Sequence, residues 1–323
     1  MGTVRDPVRD ILRYAGAAEG ARGSGAPVEL VHKSSARDAF PTGWRRTGDT
    51  TFVVTAQLPH DHPFFTPVAT ADGDRDDPLL IVEIMRQITL LITHAGFEVP
   101  VGHHFLLNSM DFAFLPQRLR SPAAGTRSTE LTADVRCSEI GRRAGHLARM
   151  RSDVELRLPS GRIVATGVGR IGVLSPAVYR RLRGVLPTET GGPVPPGVPK
   201  ELVGRTDDRD VVLAHLPGAA TWELRVDTAH PTFFQHPNDH VPGMLLLEAA
   251  RQAASALAGP GSFVPAGGGI IFDRFADLGI PCVVRARETA PDTVEVTAHQ
   301  NDTRIFHCAL STLSTLTAPR RPQ

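Results

Sequence analysis

The chain has 323 residues, 35 basic and 34 acidic side chains for a formal net charge of +1, and 41% hydrophobic residues. That balance gives no general electrostatic reason to bind nucleic acid, and the length predicts two domains rather than one. No run of 18 apolar residues occurs, and charges stand where a secretion signal needs an apolar stretch, so a soluble cytoplasmic protein is expected.

Residues 1–27, rich in Ala, Gly and Arg, read as a flexible arm. A first body is predicted over 28–178. It opens with VHKSSARDAF at Val31 and continues with a strand at 50–58 (TTFVVTAQL) and the sequence His62-Pro63-Phe64-Phe65. After an insertion at 69–77 comes an apolar helix over 78–93, then strands at 129–137, 146–157 and 162–174, where apolar and polar residues alternate. Residues 179–202 form a connector, densest in proline and glycine from 184 to 199 (GVLPTETGGPVPPGVP). The second body, 203–318, runs through VGRTDDRDVV, a strand at 221–227, His230-Pro231-Thr232-Phe233-Phe234 and a helix over 243–258 stopped by Gly259-Pro260. Strands at 280–288, 294–298 and 304–313 follow, and 319–323 is a tail.

The two bodies carry matching residues in the same order. Arg37-Asp38 corresponds to Arg209-Asp210, the His-Pro and phenylalanine pairs recur, and PLLIVEIMRQ (78–87) faces GMLLLEAARQ (243–252) without a gap. An ordered series of this kind predicts internal duplication. The helix 78–93 is apolar on almost every side, which marks it as buried all round. Each body is therefore expected to be α+β, an antiparallel sheet wrapped around a long central helix, in tandem the double hotdog arrangement.

On each helix three polar residues break the apolar surface. Glu83, Arg86 and Gln87 in the first, and Glu248, Arg251 and Gln252 in the second, stand at i, i+3 and i+4 and share one face. Two readings stay open. One is an intrahelical Glu–Arg pair closed by Gln that fixes packing. The other is a reaction centre, in which apolar surroundings raise the carboxyl pKa for proton transfer and the arginine holds an anion.

A histidine-rich loop, Phe233-Phe234-Gln235-His236-Pro237-Asn238-Asp239-His240-Val241-Pro242-Gly243, leads into the second helix. This stretch resembles the active-site segment of the hotdog hydroxyacyl-carrier-protein dehydratases. His236 falls on their histidine, Pro242-Gly243 on their Pro-Gly, Glu248 on their acid and Gln252 on their glutamine. The spacing from His236 to Pro242 is shorter and their Gly-His-Phe-Pro-Gly turn is missing, so dehydration is not expected. Over about 30–318, the opening Val-His-Lys, the HPFF and the stretch HPNDHVPGMLLLEAARQA resemble the A-factor synthases.

That resemblance implies transfer of a β-ketoacyl group from acyl carrier protein to the hydroxyl of dihydroxyacetone phosphate, the first step toward γ-butyrolactone, butenolide or furan signals. It implies functional roles for Glu83, Glu248 and Arg251. The chemistry assigns Glu248 as base, supported by His236 or His240, and Arg251 as phosphate anchor. Backbone N–H groups at Gly243 and beyond would hold the oxyanion. His230, Gln252, Arg86 and Gln87 complete the candidate binding residues.

The first body, lacking a histidine at the His236 position and carrying Asp77-Pro78 in place of Pro242-Gly243, is either a degenerate site or a second one for ring closure. The alternatives are a dehydratase or thioesterase, and a non-catalytic acyl-ligand regulator. Cys137, Cys282 and Cys308 are widely spaced and no Gly-x-Ser-x-Gly occurs, so a covalent acyl-enzyme is not expected. No cofactor or metal is expected, because Pro237 separates His236 from His240. The basic clusters at Arg142, Arg143, Arg149 and Arg151 and at Arg180, Arg181 and Arg183 are solvated faces or docks for an acidic carrier protein. With two hotdog halves, the chain is expected to be a monomer or a homodimer.

Overall fold

The computed structural model describes residues 26–68, 73–115, 125–184, 193–236, 238–259 and 263–312. Most of the predicted arm, the centre of the connector, Pro260 and the tail lie outside them.

The chain divides into two compact units that are not successive halves. The first comprises 1–62, 80–108 and 122–185, and the second 63–79, 109–121 and 186–323. Thus the segment that carries Phe64, Phe65 and Asp77 belongs with the later part of the chain.

Unit 1 contains strands β1 (Pro41–Gly48), β2 (Thr51–Pro59), β4 (Ser128–Arg143), β5 (His146–Arg157) and β6 (Ile163–Leu174), hydrogen-bonded in the order β1-β2-β4-β5-β6. The pairings are antiparallel, and β2 buries every second residue, from Phe52 to Leu58. Helix α1 (Pro78–Leu91) continues into a π-helical turn at Ile92–Gly96. All of its apolar side chains are buried, and its Thr89 hydroxyl lies 3.3 Å from that of Ser152 on β5. The whole span Pro78–Gly96 is long and apolar enough to cross a membrane, but 83% of that window is buried within the protein. A short helix, α2 (Pro176–Arg183), closes the unit.

Strand β3 (His104–Phe114) gives its first residues to unit 1 and the rest to unit 2, where 109–113 pair with β9 (Pro265–Phe272). Unit 2 continues through β12 (Thr303–Thr312), β11 (Thr293–Gln300), β10 (Val283–Ala290), β8 (Thr221–Leu224) and β7 (Leu213–His215), again antiparallel. Helix α3 (Gly243–Ala258) packs across β10, β11 and β12. Its alanines at 249, 250, 253 and 254 are fully covered, small side chains that let the helix axis approach the sheet.

The duplication is visible in local geometry. Each copy has a short 3-10 turn, Val28–Val31 or Lys200–Val203, ended by a left-handed residue, His32 or Gly204. Each then has a second turn whose cap side chain, Ser35 or Asp207, accepts a hydrogen bond from the arginine N–H two residues on.

Candidate active site

The polar residues predicted on the two helices are the centres of two buried networks. In unit 1, Glu83 accepts from Arg86 Nε and Nη2, both at 2.7 Å, and from Gln87 at 2.8 Å, and Lys33 Nζ is 3.0 Å away. Gln87 also donates to the carbonyl of Asp38 and accepts from the backbone N–H of Phe40. In unit 2, Glu248 accepts from Arg251 Nε at 2.9 Å and Nη2 at 2.7 Å, and from Gln252, which bonds the backbone of Asp210 and Val212 in the same way. Each glutamine thereby ties its helix to the Arg-Asp turn. These contacts match the packing reading of the Glu–Arg–Gln pattern.

Sequence reasoning missed the residue that completes the second network. Arg205 stands at the position of Lys33, with its side chain 3% exposed. Its Nε is 2.8 Å and its Nη2 2.6 Å from the Glu248 carboxylate, and its Nη1 donates to the carbonyl of Phe64 at 2.8 Å. The Nη2 contact is close but poorly aligned, so it counts as an ion pair rather than a hydrogen bond. Its guanidinium lies 4.1 Å from the centre of the Phe64 ring, and Asp77 Oδ2 is 3.6 Å from Nη1. The signal in the sequence was a cation at the same offset before both Arg-Asp pairs.

The expected raised pKa of the helix carboxylates is corrected by this arrangement. Burial pushes Glu248 upward, but the charges of Arg205 and Arg251 and the hydrogen bonds they donate outweigh it and hold the group at about 2. Glu83 is likewise held well below the usual range, against burial, by Arg86 and Lys33. Asp77 goes the other way: burial raises it, and Arg205 and Arg251 only partly offset that.

A folded-state pKa of about 2 against an ordinary 4.5 means that the stability contributed by ionised Glu248 is present above about pH 4.5 and is lost as pH falls toward 2. Urea denaturation midpoints measured between pH 6 and pH 3 are expected to fall, and to fall less in Glu248→Gln.

The histidines separate into two groups. His230 is 3% exposed, with Nε2 3.2 Å from Asp210, and its ring packs on Phe64 and Phe233. His62 pairs with Asp38 in the same way at 3.0 Å in unit 1. These pairs sit inside the packing around the helix, so His230 is placed there as a core residue. The loop before α3 differs: His236 is exposed, and His240 Nδ1 is 2.6 Å from Asp239 while its backbone bridges to Asp277.

The helix starts also differ. Helix α3 begins after Pro242, which has no side-chain cap, and the first N–H groups engaged are those of Leu245 and Leu246, both on the Pro242 carbonyl. The N–H groups of Gly243 and Met244 have no acceptor among the described residues. Close packing explains the glycine, since a Cβ at 243 would meet the Phe272 ring at 3.1 Å. In α1 the matching positions are Pro78, which has no N–H, and Leu79, whose N–H is taken by Asp77 Oδ1 at 2.8 Å. All three cysteines are buried, and burial pushes the Cys137 and Cys282 thiols up to about 12. Neither is a nucleophile at neutral pH.

A family model described as the A-factor biosynthesis hotdog domain matches residues 22–175 and 188–309. This chain belongs to that family. Among A-factor biosynthesis hotdog proteins, it is 46% identical over 291 residues, 88% of this chain and 90% of the relative, to the 2-oxo-3-(phosphooxy)propyl 3-oxoalkanoate synthase of Streptomyces coelicolor. It is 44% identical over 290 residues, 88% of this chain and 94% of the relative, to the enzyme of the same name from Streptomyces griseus. A solved structure, the 12:0-ACP thioesterase from Umbellularia californica, is similar with a TM-score of 0.50 at 11% identity, covering 82% of this chain and 98% of that one. That likeness concerns the fold alone.

Proposed function

We propose that this protein is an acyltransferase that makes a 2-oxo-3-(phosphooxy)propyl 3-oxoalkanoate, the ester of a 3-oxo acid with dihydroxyacetone phosphate. The observation that carries the reading is the 46% identity over 88% of the chain to a synthase of that name. In the reaction, the free hydroxyl of dihydroxyacetone phosphate attacks the thioester carbonyl. A C–O bond forms, the C–S bond breaks, and the proton passes from the hydroxyl to the departing thiolate. The ester product holds an acidic CH2 between two carbonyls within reach of the ketone of its phosphoacetone half, so intramolecular condensation closes a five-membered butenolide ring.

Within this reading His236 carries the proton, because it is exposed beside the start of α3, whereas Glu248 is ionised and sealed between two arginines. The N–H groups of Gly243 and Met244 stabilise the oxyanion. Glu248, Arg205, Arg251 and Gln252 hold α3 against the Arg-Asp turn and act as positioning residues. The first copy in sequence is the degenerate one, since the first N–H positions of α1 are removed by Pro78 and filled by Asp77.

Incubation with a 3-oxoacyl thioester and dihydroxyacetone phosphate should yield the phosphorylated ester by mass spectrometry. Free 3-oxo acid as the only product, or conversion of a 3-hydroxyacyl thioester to the enoyl thioester in place of ester formation, would overturn the function. His236→Ala is expected to lower kcat by about 10²–10⁴, the usual worth of a general base, with Tm unchanged. Wild-type turnover in that variant would overturn the role of His236.

A further inference from the structure

Helix α2 ends unit 1 with a surface that neither packing nor the chemistry above explains. Its sequence, PAVYRRLR, contains three arginines and no acid. Tyr179 faces inward, stacked on His104 at 3.6 Å between ring centres with planes 5° apart. The Ser175 hydroxyl caps the first turn and Gly184 ends the last. The helix is therefore fixed, and what it shows outward is determined by period. Val178 and Leu182 stand one turn apart and are 41% and 60% exposed, Leu182 being the most exposed of the large apolar side chains described. Arg180 and Arg181 flank them, exposed, and make no ion pair among the described residues.

Cations in a last helical turn complement the helix dipole, which accounts for one arginine. It does not account for adjacent guanidinium groups that repel each other, nor for two apolar side chains left in water between them. In a chain of net charge +1, a basic patch of this kind is a local feature and not a reflection of composition. The pairing of exposed apolar side chains with cations that make no ion pair among the described residues fits a partner whose surface is acidic with apolar side chains between the carboxylates.

We propose that the outer face of α2, formed by Val178, Arg180, Arg181 and Leu182, is the docking surface for the acidic acyl carrier protein that delivers the 3-oxoacyl thioester. The proposal rests on the transferase reading for the identity of the partner. Its basis in the structure is charge complementarity and the rigid presentation of the four side chains.

The test uses the full chain carrying Arg180→Glu and Arg181→Glu together, and separately Leu182→Ala. The donors are a 3-oxoacyl group on acyl carrier protein and the same group on free pantetheine, and carrier-protein binding is followed by fluorescence anisotropy over a range of salt. The double charge reversal should raise KM for the carrier-bound donor about tenfold or more and flatten the salt dependence of binding, leaving kcat/KM for the pantetheine donor unchanged. Leu182→Ala should weaken carrier binding severalfold while keeping its salt dependence.

Carrier binding and KM equal to wild type in the double variant would overturn the proposal. So would wild-type binding to phosphatidylglycerol vesicles without binding to the carrier, or a self-association that the same substitutions abolish. Should wild type form no ester from either donor, the transferase reading fails, and the anisotropy comparison still decides whether α2 binds the carrier.

Discussion

Arg205→Met is expected to destabilise the fold by about 3–5 kcal/mol, the usual result of removing one partner from a buried ionic cluster. The arginine is the only described cation that reaches Glu248, Asp77 and the Phe64 carbonyl together. Without it, Glu248 keeps Arg251 and Gln252, but Asp77 loses its nearest opposite charge while remaining 2% exposed, and a buried carbonyl loses its donor. Asp77, whose pKa burial already raises, then loses the charge that most offsets that burial. A thermal midpoint lower by on the order of 10 °C should follow.

Unit 1 supplies the comparison. Lys33 occupies the same place beside Glu83, but among the described residues it pairs with that carboxylate alone, without the second acid and the carbonyl that Arg205 serves, so Lys33→Met should cost clearly less. Adding Asp77→Asn to Arg205→Met should recover part of the loss, because it removes the stranded carboxylate; additivity of the two would show that they do not interact. An unchanged midpoint in Arg205→Met would refute the central place given to this residue.

Much of this architecture was legible in the sequence because burial leaves a period. The strands β2, β4, β5 and β11 alternate in the sequence as they do in exposure, and both long helices announced themselves by their apolar runs. Strand β9 was hidden for a physical reason. Its PAGGGIIF has almost no side chains to alternate, because at Gly268 a Cβ would come within 2.7 Å of the Ala309 carbonyl. Helix α2 was read only as a basic cluster, since eight residues with three arginines give no apolar stripe.

The Glu–Arg–Gln spacing correctly brought three side chains together on each helix. Their charge state was not legible, because it depends on Arg205, 43 residues before Glu248 in the chain. Nor did the alignment of the two copies show that 63–79 would join the second unit, where Phe64 packs on His230 and Phe233 instead of standing in a separate copy of the same corner.

Pro242→Asp is expected to lower kcat by about 10²–10³, the cost of losing an oxyanion donor, without lowering the thermal midpoint. The backbone at 242 has φ −59° and ψ 139°, an extended conformation that aspartate adopts readily. From there an aspartate side chain caps the helix by accepting the N–H two residues on, as Asp77 does for Leu79 in α1. In α3 that N–H belongs to Met244, one of the two groups without a described acceptor. A cap normally adds about 1 kcal/mol, so stability should hold or rise while turnover collapses. The opposite signs distinguish loss of the oxyanion site from a damaged fold, and KM for the acyl donor should change much less than kcat.

Pro242→Asn separates the two effects of the new side chain: it caps without charge, so any further loss in the aspartate variant measures repulsion between its carboxylate and the developing oxyanion. Full turnover in both variants would exclude the start of α3 as the place where the oxyanion forms. The expected outcome also accounts for the first copy. Asp77 already caps the start of α1 in this manner, so a variant of α3 that is folded but slow reproduces by a single substitution the cap that Asp77 provides there.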